Sequence, residues 1–140
     1  MYLIAHSRRH GEVRTFKLGR IRRLAVLAKT FDRPRGIDLD EYFGDAWSMI
    51  PEGRLYDVHL HFEPMVAGNV AEVQWHRTQR VEWNDDGSIE FHVRVDGLGE
   101  ITWWILGYGE QVEVVAPAEL RHRVAGVIGT VLEKYRKKGR

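Results

Sequence analysis

LYDVHLHF, residues 55–62, reads as one strand with two unlike faces. Strand side chains alternate, so Tyr56, Val58, Leu60 and Phe62 point one way and Asp57, His59 and His61 the other. Downstream, Pro64 suits the first turn of a helix, and Val66, Val70 and Val73 follow at helical spacing with Ala67 and Ala71 beside them. Gln79–Trp83 reads as a second strand, Asp85-Asp86-Gly87-Ser88 as a hairpin turn, and Ile89–Val95 as the partner strand. Gly97-Leu98-Gly99 leads into a second helix that carries Leu98, Ile101, Trp104, Ile105 and Tyr108 on one stripe and stops at Gly107 and Gly109. Gln111–Val115 is a last strand. Pro117 opens a long final helix whose expected buried face is Leu120, Val124, Val127, Val131 and Tyr135, with Gly126 and Gly129 weakening its middle.

The resulting order over residues 55–115 is β-α-β-β-α-β, that of a split βαβ or ferredoxin-like unit. A four-stranded antiparallel sheet covered by two helices on one face buries the Val, Ile and Trp residues of these segments. The final helix is an addition to that core. The expected class is α+β.

Upstream the pattern changes. Gly44–Gly53, punctuated by Pro51 and Gly53, reads as a connection and the place of a domain boundary. Asp38–Phe43 is a short helix candidate with Asp38 or Asp40 as its cap, and Thr30–Gly36 is a breaker built on Pro34 and Gly36. Arg20–Leu27 is expected as a strand with Ile21, Leu24 and Val26 core-facing, although Arg20, Arg22 and Arg23 break its alternation. Met1–Ile21 reads as two strands joined at Arg9-His10-Gly11-Glu12, with Gly11 free to take positive φ. Tyr2, Ile4, His6 and Arg8 fall on one face of the first strand. The second strand has Arg14, Phe16 and Leu18 on one face, and Val13, Thr15 and Lys17 on the other. A hairpin that gathers a Tyr, a His and several Arg can bind an anion.

The 140 residues fit one domain or two small units. With no cysteine, disulfides, thiolate catalysis and Cys-ligated zinc are excluded. No signal peptide and no membrane-length apolar run is present, so the expected location is cytoplasmic. The net charge of +1 hides an asymmetry. Residues 1–36 hold 10 Lys/Arg against 2 Asp/Glu, and residues 37–140 hold 11 against 18. A basic first segment beside an acidic body points to an anionic partner for that segment; the plainer reading is that each neutralises the other.

For an enzyme one looks for a nucleophile with a base, a phosphate-binding loop, a dinucleotide fingerprint or paired acids. None appears, and no catalytic residue and no cofactor is expected. His59 and His61 share a strand face and, with Glu63 or His76, make a weak metal candidate; two exposed histidines is the favoured reading, and no metal site is expected. Trp75, Trp83, Trp103 and Trp104 read either as a stacking platform or, more in keeping with their positions, as core and interface residues, with Trp103 off the helix stripe and the best interface candidate. The basic end Lys134–Arg140 reads as a solvated helix terminus.

Two groups of residues carry a family resemblance. Tyr2-Leu3-Ile4-Ala5-His6 through Arg14-Thr15-Phe16-Lys17-Leu18-Gly19-Arg20-Ile21 resembles the hallmark of the WYL domain of bacterial transcriptional regulators, with Met1 where that motif has Trp. Trp75-His76-Arg77-Thr78-Gln79 and Trp104-Ile105-Leu106-Gly107-Tyr108-Gly109, followed by Pro117-Ala118-Glu119-Leu120, look like the WCX extension that follows WYL domains. The resemblance implies a partial Sm-like (SH3-type) β-barrel in residues 1–46, followed by a ferredoxin-like WCX unit in residues 54–140. It also implies that the helix-turn-helix and the first barrel strands of such a regulator are missing, so the chain reads as a C-terminal portion.

Carried over position by position, the ligand-binding candidates are Tyr2, His6, Arg8, Arg14, Lys17 and Arg20. Arg recognises phosphate through two parallel hydrogen bonds, Tyr stacks on a base, and His adds a switchable donor. The expected function is an effector-sensing and dimerisation module that binds a nucleotide or single-stranded nucleic acid, with no sequence-specific duplex DNA binding and no membrane partner. Three strands cannot close a barrel, so a homodimer is expected, with strand exchange as one way to form it. The alternative is a structural module that completes a partner's barrel without a small ligand.

Overall fold

The structure is a computed structural model that describes residues 2–30 and 42–136. By contacts it divides into two compact units, Met1–Arg35 and Gly36–Arg140.

The first unit is a hairpin of β1 (Tyr2–Ser7) and β2 (Glu12–Lys17), followed by a 3-10 turn at Leu18–Arg20. The Ser7 carbonyl accepts from the amides of His10 (3.1 Å) and Gly11 (2.8 Å), and Gly11 takes φ +72°, where a Cβ would strain the turn. The expected strand at Arg20–Leu27 does not form. Residues 21–30 are irregular and exposed, with Leu24 80%, Val26 93% and Leu27 72% accessible. Among the described residues β2 pairs with β1 alone, so this segment has no ladder to join, and its three early arginines resist burial. Most of the short helix expected at Asp38–Phe43 and of the breaker at Thr30–Gly36 lies outside the described residues; Tyr42 and Phe43 are helical.

The second unit carries the β-α-β-β-α-β order expected from its sequence. It comprises β3 (Leu55–Phe62), α1 (Pro64–Ala71), β4 (Arg80–Trp83), β5 (Ile89–Asp96), α2 (Gly99–Leu106), β6 (Val112–Ala116) and a final helix α3 (Ala118–Arg136). The sheet runs β4-β5-β3-β6, every neighbouring pair antiparallel. Register pairs Val58↔Val93, Leu60↔Phe91 and Phe62↔Ile89 put the apolar sets of the two central strands on one face. That face packs on Ala67 and Val70 of α1, on Leu98 just before α2, on Ile101 and Ile105 of α2, and on Leu120 of α3. Each Leu, Ile or Phe so buried is worth about 1.5–3 kcal/mol of transfer free energy. Pro64 occupies the first turn of α1, where its missing N–H costs nothing.

Two features depart from expectation. Helix α3 continues through Gly126 and Gly129, but it buries only its first turns. Leu120 is fully buried and Val124 and Val127 half-buried, whereas Val131 is 44% and Tyr135 87% exposed. The stripe is long enough to span more core than this unit provides. Residues 44–53, read as a connection, are packed onto the unit. Ala46 is buried, Asp45 is ion-paired with Arg77 at 2.7 Å, and a run of main-chain amides is tied to side chains at the start of α2. The Glu100 carboxylate accepts from the amides of Ser48, Met49 and Ile50, while the Glu52 carboxylate accepts from those of Leu98 and Gly99. The two strands of chain thus cap one another.

Candidate functional site

The hairpin register decides which candidate residues meet. Cross-strand partners share a face. Tyr2↔Lys17, Ile4↔Thr15 and His6↔Val13 therefore make one face, and Leu3↔Phe16, Ala5↔Arg14 and Ser7↔Glu12 the other. Tyr2, His6 and Lys17 share the first of these faces, with Lys17 directly opposite Tyr2 and His6 about 13 Å further along β1, opposite Val13. Arg14 is on the reverse face, where its guanidinium is ion-paired with Glu12 at 2.6 Å. Arg8 lies in the turn and Arg20 ends the 3-10 turn, so the register joins three of the six. All three of these face residues are exposed. The neighbouring Tyr2 and Lys17 can hold an anion beside a stacking surface, with His6 available to the more distant part of an extended ligand, and without the bidentate fork that Arg14 would have supplied.

In the second unit the face of the sheet away from the helices is polar. Its rows follow from the register: Arg80, His92 and His59 across β4, β5 and β3; Glu82, Glu90, His61 and Glu113 one step along; Arg94 and Asp57 on the other side. His59 and His61, weighed above as metal ligands, are engaged by one carboxylate. His59 Nε2 lies 2.6 Å from Glu90 Oε2, and His61 Nδ1 lies 2.8 Å from Glu90 Oε1. Burial alone would raise the Glu90 carboxyl, but the hydrogen bonds from His61, His59 and Asn84 outweigh it and hold it at about 2. The His61 imidazole is pushed up by its bond to Glu90, against some desolvation. Among the described residues no group of three or more His, Asp or Glu is arranged to hold a metal ion.

The tryptophans do not form a platform. Trp104 is the centre of an aromatic cluster, with ring centroids 4.6 Å from Trp47, 5.3 Å from Trp75, 5.4 Å from Phe91 and 5.2 Å from Tyr108. Trp83 and Trp103 are 59% and 70% exposed. His76, in the WCX-like motif, is buried and stacks on Trp47 at 6.0 Å with a 9° interplanar angle; burial lowers its basicity. It is a core histidine, satisfied by Thr78 Oγ1 at 2.9 Å. Trp47 went unread because it sits in an irregular stretch with no periodicity. Glu90 went unread because its partners lie 29 and 31 residues away in sequence.

No helix among the described residues is long and apolar enough to cross a membrane. No curated protein matches the sequence significantly. Over 97% of its length the chain has the fold of part of the proteasome accessory factor B/C (PafBC) of Arthrobacter aurescens, at a TM-score of 0.50 and 21% identity. It spans 20% of that chain, and the likeness is one of fold. The model of the WCX domain matches residues 54–132, which hold both tryptophan motifs, the mixed sheet face and most of α3: the chain belongs to the WCX family, whose domains are found in WYL-type regulators.

Proposed function

We propose that the chain is a non-enzymatic, effector-sensing and dimerisation module of a WYL-type transcriptional regulator. Its hairpin is read as part of a WYL barrel and its second unit as a ferredoxin-like WCX domain, a reading supported by the strand order β4-β5-β3-β6. The effector is an anion, a nucleotide or single-stranded nucleic acid, held on the hairpin face. The observation that carries this is the register pair Tyr2↔Lys17 with His6 on the same face. Arg8 and Arg20 extend the positive charge at the two ends of that face, and Arg14 acts from behind it.

Titration of the full chain with a short oligo-dT at several salt concentrations tests the reading. Binding should weaken steeply with salt, as counterion release requires. Lys17→Ala should reduce affinity and the salt slope, whereas Arg14→Ala, already neutralised by Glu12, should change them less. Salt-independent binding, or none, would overturn it.

For dimerisation, the surface offered is the apolar edge of the second unit. Trp103, Ile128, Leu132 and Tyr135 are between 46% and 87% exposed, and Trp103, Leu106, Val127 and Val131 line a groove of about 300 Å³. A second copy would cover them.

The alternative, a structural module that completes a partner's barrel, draws on the hairpin itself. Its strands pair only with each other among the described residues, and two-stranded hairpins are marginal in water. Crosslinking from β1 to a partner without any effector present would favour it.

A further inference from the structure

The polar face of the second unit holds a groove of about 430 Å³, lined by Asp57, His59, Thr78, Arg80, His92 and Arg94, with Ala116 at one end. Its size lies within the range of small-molecule sites. Most of its polar atoms are already committed to the protein. Arg94 Nε donates to Asp57 Oδ1 at 2.8 Å, so these two charges cancel. The Thr78 hydroxyl donates to the Arg94 carbonyl and accepts from the Arg94 amide, each at 2.9 Å. His59 is held by Glu90.

Two groups are left over. Neither the Arg80 guanidinium nor the His92 ring nitrogens have a hydrogen-bond partner among the described residues, and register makes them cross-strand neighbours on this face. The His92 ring lies flat against His59, with centroids 4.2 Å apart at 24°, which fixes its orientation. A guanidinium fork beside an oriented imidazole donor is suited to a phosphate group, and Arg80 is in no ion pair among the described residues: the nearby Asp57 carboxylate feels its charge through space but is paired with Arg94. The groove is far larger than phosphate alone needs, and the imidazole edges and Ala116 methyl offer flat, partly apolar walls for what the phosphate is attached to.

The neighbouring row sets a limit on that ligand. Glu82, Glu90 and Glu113 lie one step along the sheet, so a polyanionic strand crossing the face would run over three carboxylates. We propose that this groove is a binding site for a small phosphate monoester of mononucleotide size, seated on Arg80 and His92 and separate from the hairpin face.

Titration of the full chain with AMP, followed by NMR of the histidine side chains and the arginine Nε–H groups, tests this. AMP should move the His92, His59 and Arg80 signals, and inorganic phosphate should compete more weakly at the same residues. Arg80→Ala and His92→Gln should each weaken AMP binding by about tenfold or more, with circular dichroism showing the fold retained. Lys17→Ala should leave the AMP-induced movement of the His92 and Arg80 signals unchanged, whatever it does to nucleotide binding at the hairpin, which separates this site from the proposed effector face. Unmoved His92 signals at millimolar AMP would overturn the proposal, as would AMP binding that Lys17→Ala abolishes and Arg80→Ala does not. Tighter binding of an eight-nucleotide oligo-dT than of AMP through Arg80 would overturn the small-ligand assignment.

Discussion

Glu90 and His61 form a hydrogen-bonded pair across the central strands, Oε1 to Nδ1 at 2.8 Å, and the pair makes stability depend on pH from both sides. The carboxyl is depressed from 4.5 to about 2. Its contribution is therefore complete above about 4.5 and is lost as pH falls towards 2. The imidazole is raised above 6.5, so its contribution is complete below that value and is lost as pH rises through the higher folded value. The pair stabilises most between the two. Glu90→Gln should lower stability by about 1–2 kcal/mol near pH 5.5, less than a fully buried pair would lose because water reaches the site. Thermal melts from pH 3 to 8 should show a flatter profile for the variant; parallel profiles would contradict the assignment.

Glu100→Ala removes the acceptor for the amides of Ser48, Met49 and Ile50. Charge-assisted bonds of this kind are worth about 1.5–3 kcal/mol before solvent exposure is discounted. Amide exchange should accelerate at residues 48–50 while the amides of β3 and β5 stay protected. Uniform loss of protection would mean that the segment is not a local unit.

Two glycines should respond in opposite directions. Gly97 has φ +91°, and a Cβ there would collide with the Glu52 side chain, so Gly97→Ala should destabilise by about 1–3 kcal/mol. Gly126 lies inside α3 with open space around it, so Gly126→Ala should stabilise by about 0.5–1 kcal/mol. Denaturant midpoints for the two variants decide the matter.

Trp104→Ala should cost about 3–5 kcal/mol, because the ring touches Trp47, Trp75, Phe62, Phe91 and Tyr108 and no neighbour can fill its place. Trp104→Phe should cost distinctly less. Equal losses in denaturant unfolding would show that the cluster depends on the indole's shape rather than on filled volume.

Trp103→Asp, by contrast, changes a residue that is 70% exposed and should leave the melting temperature of the isolated unit nearly unchanged. If the proposed dimer uses that surface, light scattering should shift towards the monomer mass at micromolar concentration. A dimer that survives this substitution would have to use another surface.

The second unit was readable because its two central strands alternate over eight residues and its turns carry Gly or Pro. Val58, Leu60 and Phe62 were assigned to the core from spacing alone, and they are buried. The hairpin was readable as a hairpin, yet its faces were not. Whether Arg14 sits beside Tyr2 depends on which residues are opposed, and a shift of one residue in the turn inverts the answer. Arg20–Leu27 misled because alternation reports amphipathic character, not the presence of a partner strand. The Glu90 bridge and the place of Trp47 depend on contacts far apart in the chain, which no local pattern records.

The mutual capping by Glu52 and Glu100 has a mechanical consequence. Any load arriving along the polypeptide from before residue 42 meets residues 45–54 first, and these are tied both to the start of α2 and, through Asp96, to the end of β5. The first turn of α2 and the end of β5 would share the strain, while β3, entered only at Leu55, is shielded until that joint gives. The joint is a set of amides converging on the carboxylates of Glu52, Asp96 and Glu100, so it should give way as one piece, releasing roughly ten residues of leash at a stroke.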